Sequence, residues 1–336
     1  MSFGDAAYWF TQWRGPAHPP YTVPAARVAR RVPDVSLTRE EFPMKLKTLV
    51  PLALMMATIG VSAQETLKKV SDSNKITLAY REASVPFSYL AGPGKPVGMM
   101  VEVAEAIAAE VKKVTNKPNL EVAWQAVTSQ NRIPLLSNGT VDLECGSTTN
   151  NSTRGKEVAF AINHFYTGTR LLVKKNSGIR NYADLKGKTI ATTAGTTNLQ
   201  VLRRYNQDKA LDMNILTAKD HDESKLLVDS GRAVAFGMDD ILLFGLKAND
   251  KNQADWDVVG ESLQVEPYAC MLRKDDPQFK QLVDGVIGGM MKDGRFEKLY
   301  AKWFTSPIPP NNVNLNLPMA PELKDNLKAL SDKPAT

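Results

Sequence analysis

The sequence is poor in the residues that build metal centres. It has only two cysteines, Cys145 and Cys270, and three histidines, His18, His164 and His221, and none of them lies at zinc-ligand spacing from another. No uninterrupted apolar run reaches the ~20 residues that a membrane-spanning helix needs. Past residue 63 there is no Lys/Arg block or basic tail, and 35 basic residues face 32 acidic ones, so binding to nucleic acid is not expected. The segment "DLKGKT" mimics the end of a phosphate loop, but Tyr182 occupies the place where that loop's first glycine belongs. No cofactor is expected.

What is present fits two ordinary globular domains, with 336 residues, 43% of them hydrophobic and 23% charged. From Met44 the chain reads "MKLKTLVPLALMMATIGVSAQ". A basic start at Lys45 and Lys47, an apolar run from Leu49 to Val61 and small residues at Ser62 and Ala63 form the three-part pattern of a secretory signal peptide over 44–63. Cleavage after Ala63 would place the mature chain in the periplasm. Residues 1–43, rich in Pro and Arg, have no role ahead of an export signal; they are expected to be a disordered upstream extension, with Met44 the true start. Both cysteines fall in the exported part. An oxidising compartment permits a bond between them, yet each sits in an apolar strand-like run where a buried free thiol is equally ordinary, so both states stay open.

Past Gln64 the hydrophobic period alternates between strand and helix. "KITLAYR", "LEVAWQAV" and "VDLECG" read as strands, separated by a helical stretch from Gly98 and a short helix in "SQNRIPLLSNG". The rhythm restarts after Thr169. "TRLLVKK", "KTIATTA", "MNILTA" and "AVAFGM" read as strands, with helices in "TNLQVLRRYNQDK" and "DESKLLVDSG" between them. "YACMLRK" then precedes one long helical stretch from Pro277 to Trp303 and a Pro/Asn-rich tail. This predicts an α/β protein of two lobes with a cleft between them: a first lobe over 64–168, a second over 169–268, and a return to the first over 269–336.

In open α/β sheets ligands bind beyond the carboxyl ends of the strands, where loops and helix starts present unpaired N–H groups. The polar residues gather there. The first lobe offers Arg81, then Ser129 and Arg132, then Ser147, Thr149 and Arg154; the second offers Thr196 and Thr197, then His221, then Asp239. Taken singly each has a plainer reading: an arginine after a strand is usually a solvated charge, and Ser, Thr or Asp before a helix is usually its cap. Their coincidence at six strand ends outweighs this. Guanidinium forks grip carboxylates through both oxygens, and three of them in one lobe suit a dicarboxylate. Asp239 from the other side suits an ammonium, so the complement is an acidic α-amino acid.

With those residues in hand, the chain over about 65–330 resembles the periplasmic glutamate/aspartate-binding proteins of ABC amino-acid import systems. The likeness is carried by "TSQNRIPLLSNGTVDLECGSTTN", "TAGTTNLQVL", "SGRAVAFGMDD" and "KWFTSPIPPNNVNLN". It implies a type II two-lobed periplasmic-binding fold, each lobe a mostly parallel sheet flanked by helices, joined by two hinge strands near Thr167 to Arg170 and Pro267 to Cys270. It further implies that Arg154 with Thr149 holds the α-carboxylate of L-glutamate or L-aspartate. Arg81, Arg132 and Ser129 would hold the side-chain carboxylate with help from Ser147. Thr196 or Thr197 and His221 would complete the site, and Asp239 would bind the ammonium. The protein would act as a monomer that hands its ligand to a membrane permease. Tyr80, Ala83 and the "NHFYTG" around His164 depart from the family's form.

The rival is a periplasmic enzyme on the same scaffold, a dehydratase or hydrolase of a small acidic substrate. It would need a general acid or base, for which Glu82, Glu144 and His221 are the candidates, and no nucleophile elbow or paired-carboxylate motif accompanies them.

Overall fold

The computed structural model describes residues 65–335; the expected export signal and the stretch ahead of it lie outside the described residues. Two five-stranded sheets organise the chain. The first runs, in spatial order, Glu121–Ala126, Lys75–Tyr80, Leu143–Glu144, Met271–Arg273, Val158–Phe160. The second runs Asn214–Ala218, Thr189–Thr193, Ala235–Asp239, Thr169–Lys174, Trp256–Val259. In each sheet four strands run one way and the fourth in order runs against them. That reversed strand is in both cases the one that has just arrived from the other sheet: Thr169–Lys174 on the way out and Met271–Arg273 on the way back.

The crossings pair with each other. Phe165–Thr167 and Glu266–Tyr268 form a short antiparallel ribbon, with Pro267 opposite Tyr166. An aromatic cluster packs against this ribbon from the first lobe: the Phe87 ring lies 5.0 Å from Phe165, 5.4 Å from Tyr268 and 5.6 Å from Phe304. Edge-on contacts of this kind add to the area they bury and fix ring orientation. The helix Met99–Val114 shows why the sequence folds this way. Its Met100, Val103, Ile107 and Val111 recur at helical spacing and are all buried on the first sheet's side of the molecule.

Cys145 and Cys270 form a disulfide that ties the end of a first-sheet strand to the end of the return crossing, which resolves the two states left open by the sequence. The long helical stretch expected over 277–303 is two helices, Pro277–Lys292 and Arg295–Phe304, broken where Gly294 turns left-handed at φ 80°. The tail is also more ordered than its composition suggested. It carries a small pairing of Pro307–Ile308 with Val313–Asn314 and a helix, Pro321–Ala329, whose Leu323 is buried.

Candidate functional site

Strand direction brings the predicted residues together. A small cavity lies between the lobes, lined by Ser129, Arg132, Ser147 and Thr149 from the first and by Thr196, Thr197, His221 and Asp239 from the second. Arg81 and Arg154 stand just outside its lining. Arg81 donates through Nη2 to Ser129 Oγ at 2.9 Å and to His221 Nε2 at 3.3 Å. Arg154 donates to the Thr149 carbonyl at 2.9 Å and, across the cleft, to the Gly195 carbonyl at 3.2 Å. The hydrogen bonds from Arg81 to His221 and from Arg154 to Gly195 tie one lobe to the other, and the Thr149 and Thr197 hydroxyl oxygens approach to 3.3 Å between them.

The first lobe concentrates buried positive charge. Burial and then Arg132 lower the pKa of Arg81 to about 9 and of Arg154 to about 10, and burial lowers that of Arg132 as well. Arg132 Nη1 donates to Thr148 Oγ1 at 2.6 Å, and Thr148 passes its own proton to Glu144 Oε2 at 2.7 Å. Glu144 is thus a fully buried countercharge behind the arginines. Two guanidinium nitrogens, Arg81 Nη1 and Arg132 Nε, are buried with no acceptor among the described residues. A buried donor to which nothing is paired is expensive, and a charged one more so.

The second lobe supplies the opposite charge. Asp239 precedes the helix Asp240–Asn249 but does not cap it. Its carboxylate accepts instead from Asn198 Nδ2 at 2.8 Å and from the Tyr268 hydroxyl. Burial, then the charge of Glu266, push its pKa up to about 7. Thr196 does serve as a cap: its hydroxyl accepts from Leu199 N–H at 3.3 Å and donates to the Thr193 carbonyl at 2.7 Å, so both functions are already in use. His221 is buried, and burial with Arg81 and Arg132 holds its pKa well below the ordinary imidazole range.

Several residues that hold the site escaped the sequence reading. Asn198, Glu266 and Tyr268 each fix a predicted residue, but their partners lie far along the chain and no periodicity marks them. His164 is buried in the aromatic cluster and its Nε2–H donates to the Gly146 carbonyl at 3.0 Å, which anchors the loop leading to Ser147; burial lowers its pKa to about 4. The acid–base candidates fare differently from one another. Glu82 is exposed, Glu144 is locked to Thr148, and His221 is neutral and held by Arg81.

Two lobes on a paired crossing, closing guanidinium groups against a carboxylate, define a solute-binding protein of the type II periplasmic fold. The chain belongs to the bacterial extracellular solute-binding proteins, family 3, whose model matches residues 76–306. It is 49% identical to the L-glutamate/L-aspartate-binding protein of Pseudomonas aeruginosa, over 87% of this chain and 98% of that one. It is 48% identical to the glutamate/aspartate import solute-binding protein of Escherichia coli K12, over 81% and 89%. Among solved structures it resembles a mutant of ArgBP from T. maritima, with 25% identity and a TM-score of 0.63 over 71% of this chain and 98% of that chain. The solute receptor for L-cysteine of Neisseria gonorrhoeae matches at 25% identity and a TM-score of 0.63, over 76% and 98%.

Proposed function

We propose that this chain captures L-glutamate or L-aspartate in the periplasm by closing its lobes and delivers it to an ABC permease. One observation carries the reading: Arg132, which lines the cavity, and Arg81, just outside its lining, each keep a buried guanidinium N–H with no acceptor among the described residues, while a buried carboxylate, Asp239, lines the other side. An anionic ligand with an ammonium satisfies both. Arg132 and Arg81, with Ser129, would take the side-chain carboxylate, and Arg154 with the first N–H groups of the helix Thr197–Asp208 would take the α-carboxylate. The ligand's charge also relieves the mutual repulsion of the arginines, so closure becomes ligand-dependent. Glutamine has nearly the same shape, but its amide would leave a buried guanidinium without its anion, a penalty of about 2–5 kcal/mol by analogy with truncated buried charge pairs. The relatives above carry the names of binding proteins, which favours capture over catalysis.

Thermal melting with each amino acid tests this. At about a thousandfold over its dissociation constant a true ligand adds roughly 4 kcal/mol. Glutamate or aspartate should raise the midpoint by several degrees and glutamine hardly at all. Equal stabilisation by glutamine, or full glutamate stabilisation of Arg154→Ala, would overturn the assignment.

A further inference from the structure

Glu266 lies on the return crossing, 1% exposed, and its Oε2 accepts two hydroxyl protons at once. One comes from Thr149 Oγ1 of the first lobe and the other from Thr197 Oγ1 of the second, each at 2.7 Å. Its Oε1 accepts from Gln264 Nε2. A carboxylate only accepts, and a threonine hydroxyl has a single proton to give. Both protons are therefore committed to Glu266, and the 3.3 Å contact between the two hydroxyl oxygens carries neither. Thr149 and Thr197 both line the cavity, whereas Glu266 stands behind them. What the two hydroxyls can turn towards a ligand is lone pairs.

We infer that Glu266 sets the polarity of the cavity and is its positioning residue for the ligand's ammonium. By drawing off both hydroxyl protons it makes Thr149 and Thr197 acceptors, which together with Asp239 form a surface matched to three N–H bonds. In the same act it fastens one residue of each lobe to the hinge. This deepens the reading of the site as an amino-acid trap and rests on it: the cavity selects dicarboxylates that carry an ammonium over those that do not. It also moves Thr149 away from the α-carboxylate role that the family resemblance implied. A hydroxyl that has no proton left repels a carboxylate oxygen.

The test compares L-glutamate with glutarate, which keeps both carboxylates and lacks the ammonium, by titration calorimetry on wild type, Glu266→Gln and Thr197→Val. Glutamate binding by the wild type checks the underlying reading. Given that binding, the glutamine amide presents donors and reverses the two hydroxyls. Glu266→Gln should raise the Kd for L-glutamate at least tenfold and leave that for glutarate within about twofold of wild type or tighter. Thr197→Val removes one acceptor outright and should show the same selective loss, so it decides the matter if Glu266→Gln does not fold. A parallel loss of both ligands, or no change in either, overturns the inference.

Discussion

Arg81 donates to Nε2 of His221 across the cleft, at 3.3 Å. Nε2 accepts, so the ring proton sits on Nδ1 facing Thr193 Oγ1 at 2.9 Å. A first-lobe cation is thus received by an imidazole that burial, Arg81 and Arg132 keep neutral. A protonated ring would be driven away.

Introducing a fixed charge at this point reproduces that repulsion. His221→Lys should weaken glutamate binding by more than tenfold in calorimetry, with the ligand-free protein still folded by circular dichroism. The native histidine also sets a sign for stability. Its pKa is lowered on folding from 6.5, so below that pH the unfolded chain takes up a proton that the folded chain refuses. The histidine's contribution is complete above about pH 6.5 and drains away as pH falls. The difference in melting midpoint between wild type and His221→Gln should therefore shift against the wild type between pH 7.5 and pH 5. A constant difference would show that the ring titrates normally.

Asp239 has the opposite displacement, raised by burial and then by Glu266 to about 7. An ammonium needs it ionised, so at lower pH binding must first expel a proton. Affinity for glutamate should fall by about tenfold from pH 8 to pH 6, one decade per unit once below the pKa. His221 titrates below this window and does not contribute. Asp239→Asn should bind more weakly and show a flat profile, and calorimetry in buffers of different ionisation enthalpy should detect the released proton for the wild type alone.

Closure brings Gly195 against the opposite lobe. Its φ is +77°, and a Cβ there would stand 2.5 Å from the Cα of Gln130. Gly195→Ala should leave each lobe folded while wedging them apart. X-ray scattering should then show little of the glutamate-induced decrease in radius of gyration expected of the wild type, and affinity should drop more than tenfold.

The bond between Cys145 and Cys270 spans 125 residues. Removing it with Cys145→Ser and Cys270→Ser should cost about 2–4 kcal/mol in urea unfolding, chiefly through a freer unfolded chain. Loss of less than 1 kcal/mol would mean that packing around the ribbon already restrains that chain.

Most of the framework was visible in the sequence because strand ends announce themselves. Arg81, Ser129, Ser147 and Asp239 follow or end strand-like apolar runs, and a parallel sheet lines up such ends on one edge. Charge type then pointed to the ligand. What stayed hidden was pairing at long range: Glu266 meets Thr149 across 117 residues and Thr197 across 69. The plain reading of Thr196 as a helix cap was right for its hydroxyl, while the same reading of Asp239 was not, since its carboxylate turns to Asn198 and Tyr268. Local pattern cannot tell those two apart. The unanticipated helix Pro321–Ala329 is short and mostly exposed, so its apolar period is faint.

The cystine sets where this molecule can bend. Cys270 is bolted to the first sheet, so any swing of the second lobe has to be taken up ahead of it on the return strand and near Gly168 on the outward one, where even a methyl group would collide with Ser262 and Gln264. Glu266 and Tyr268 lie on that axle, so the gauge of the cavity's occupant is built into the pivot itself, and a slight rotation there becomes a wide sweep at the rim.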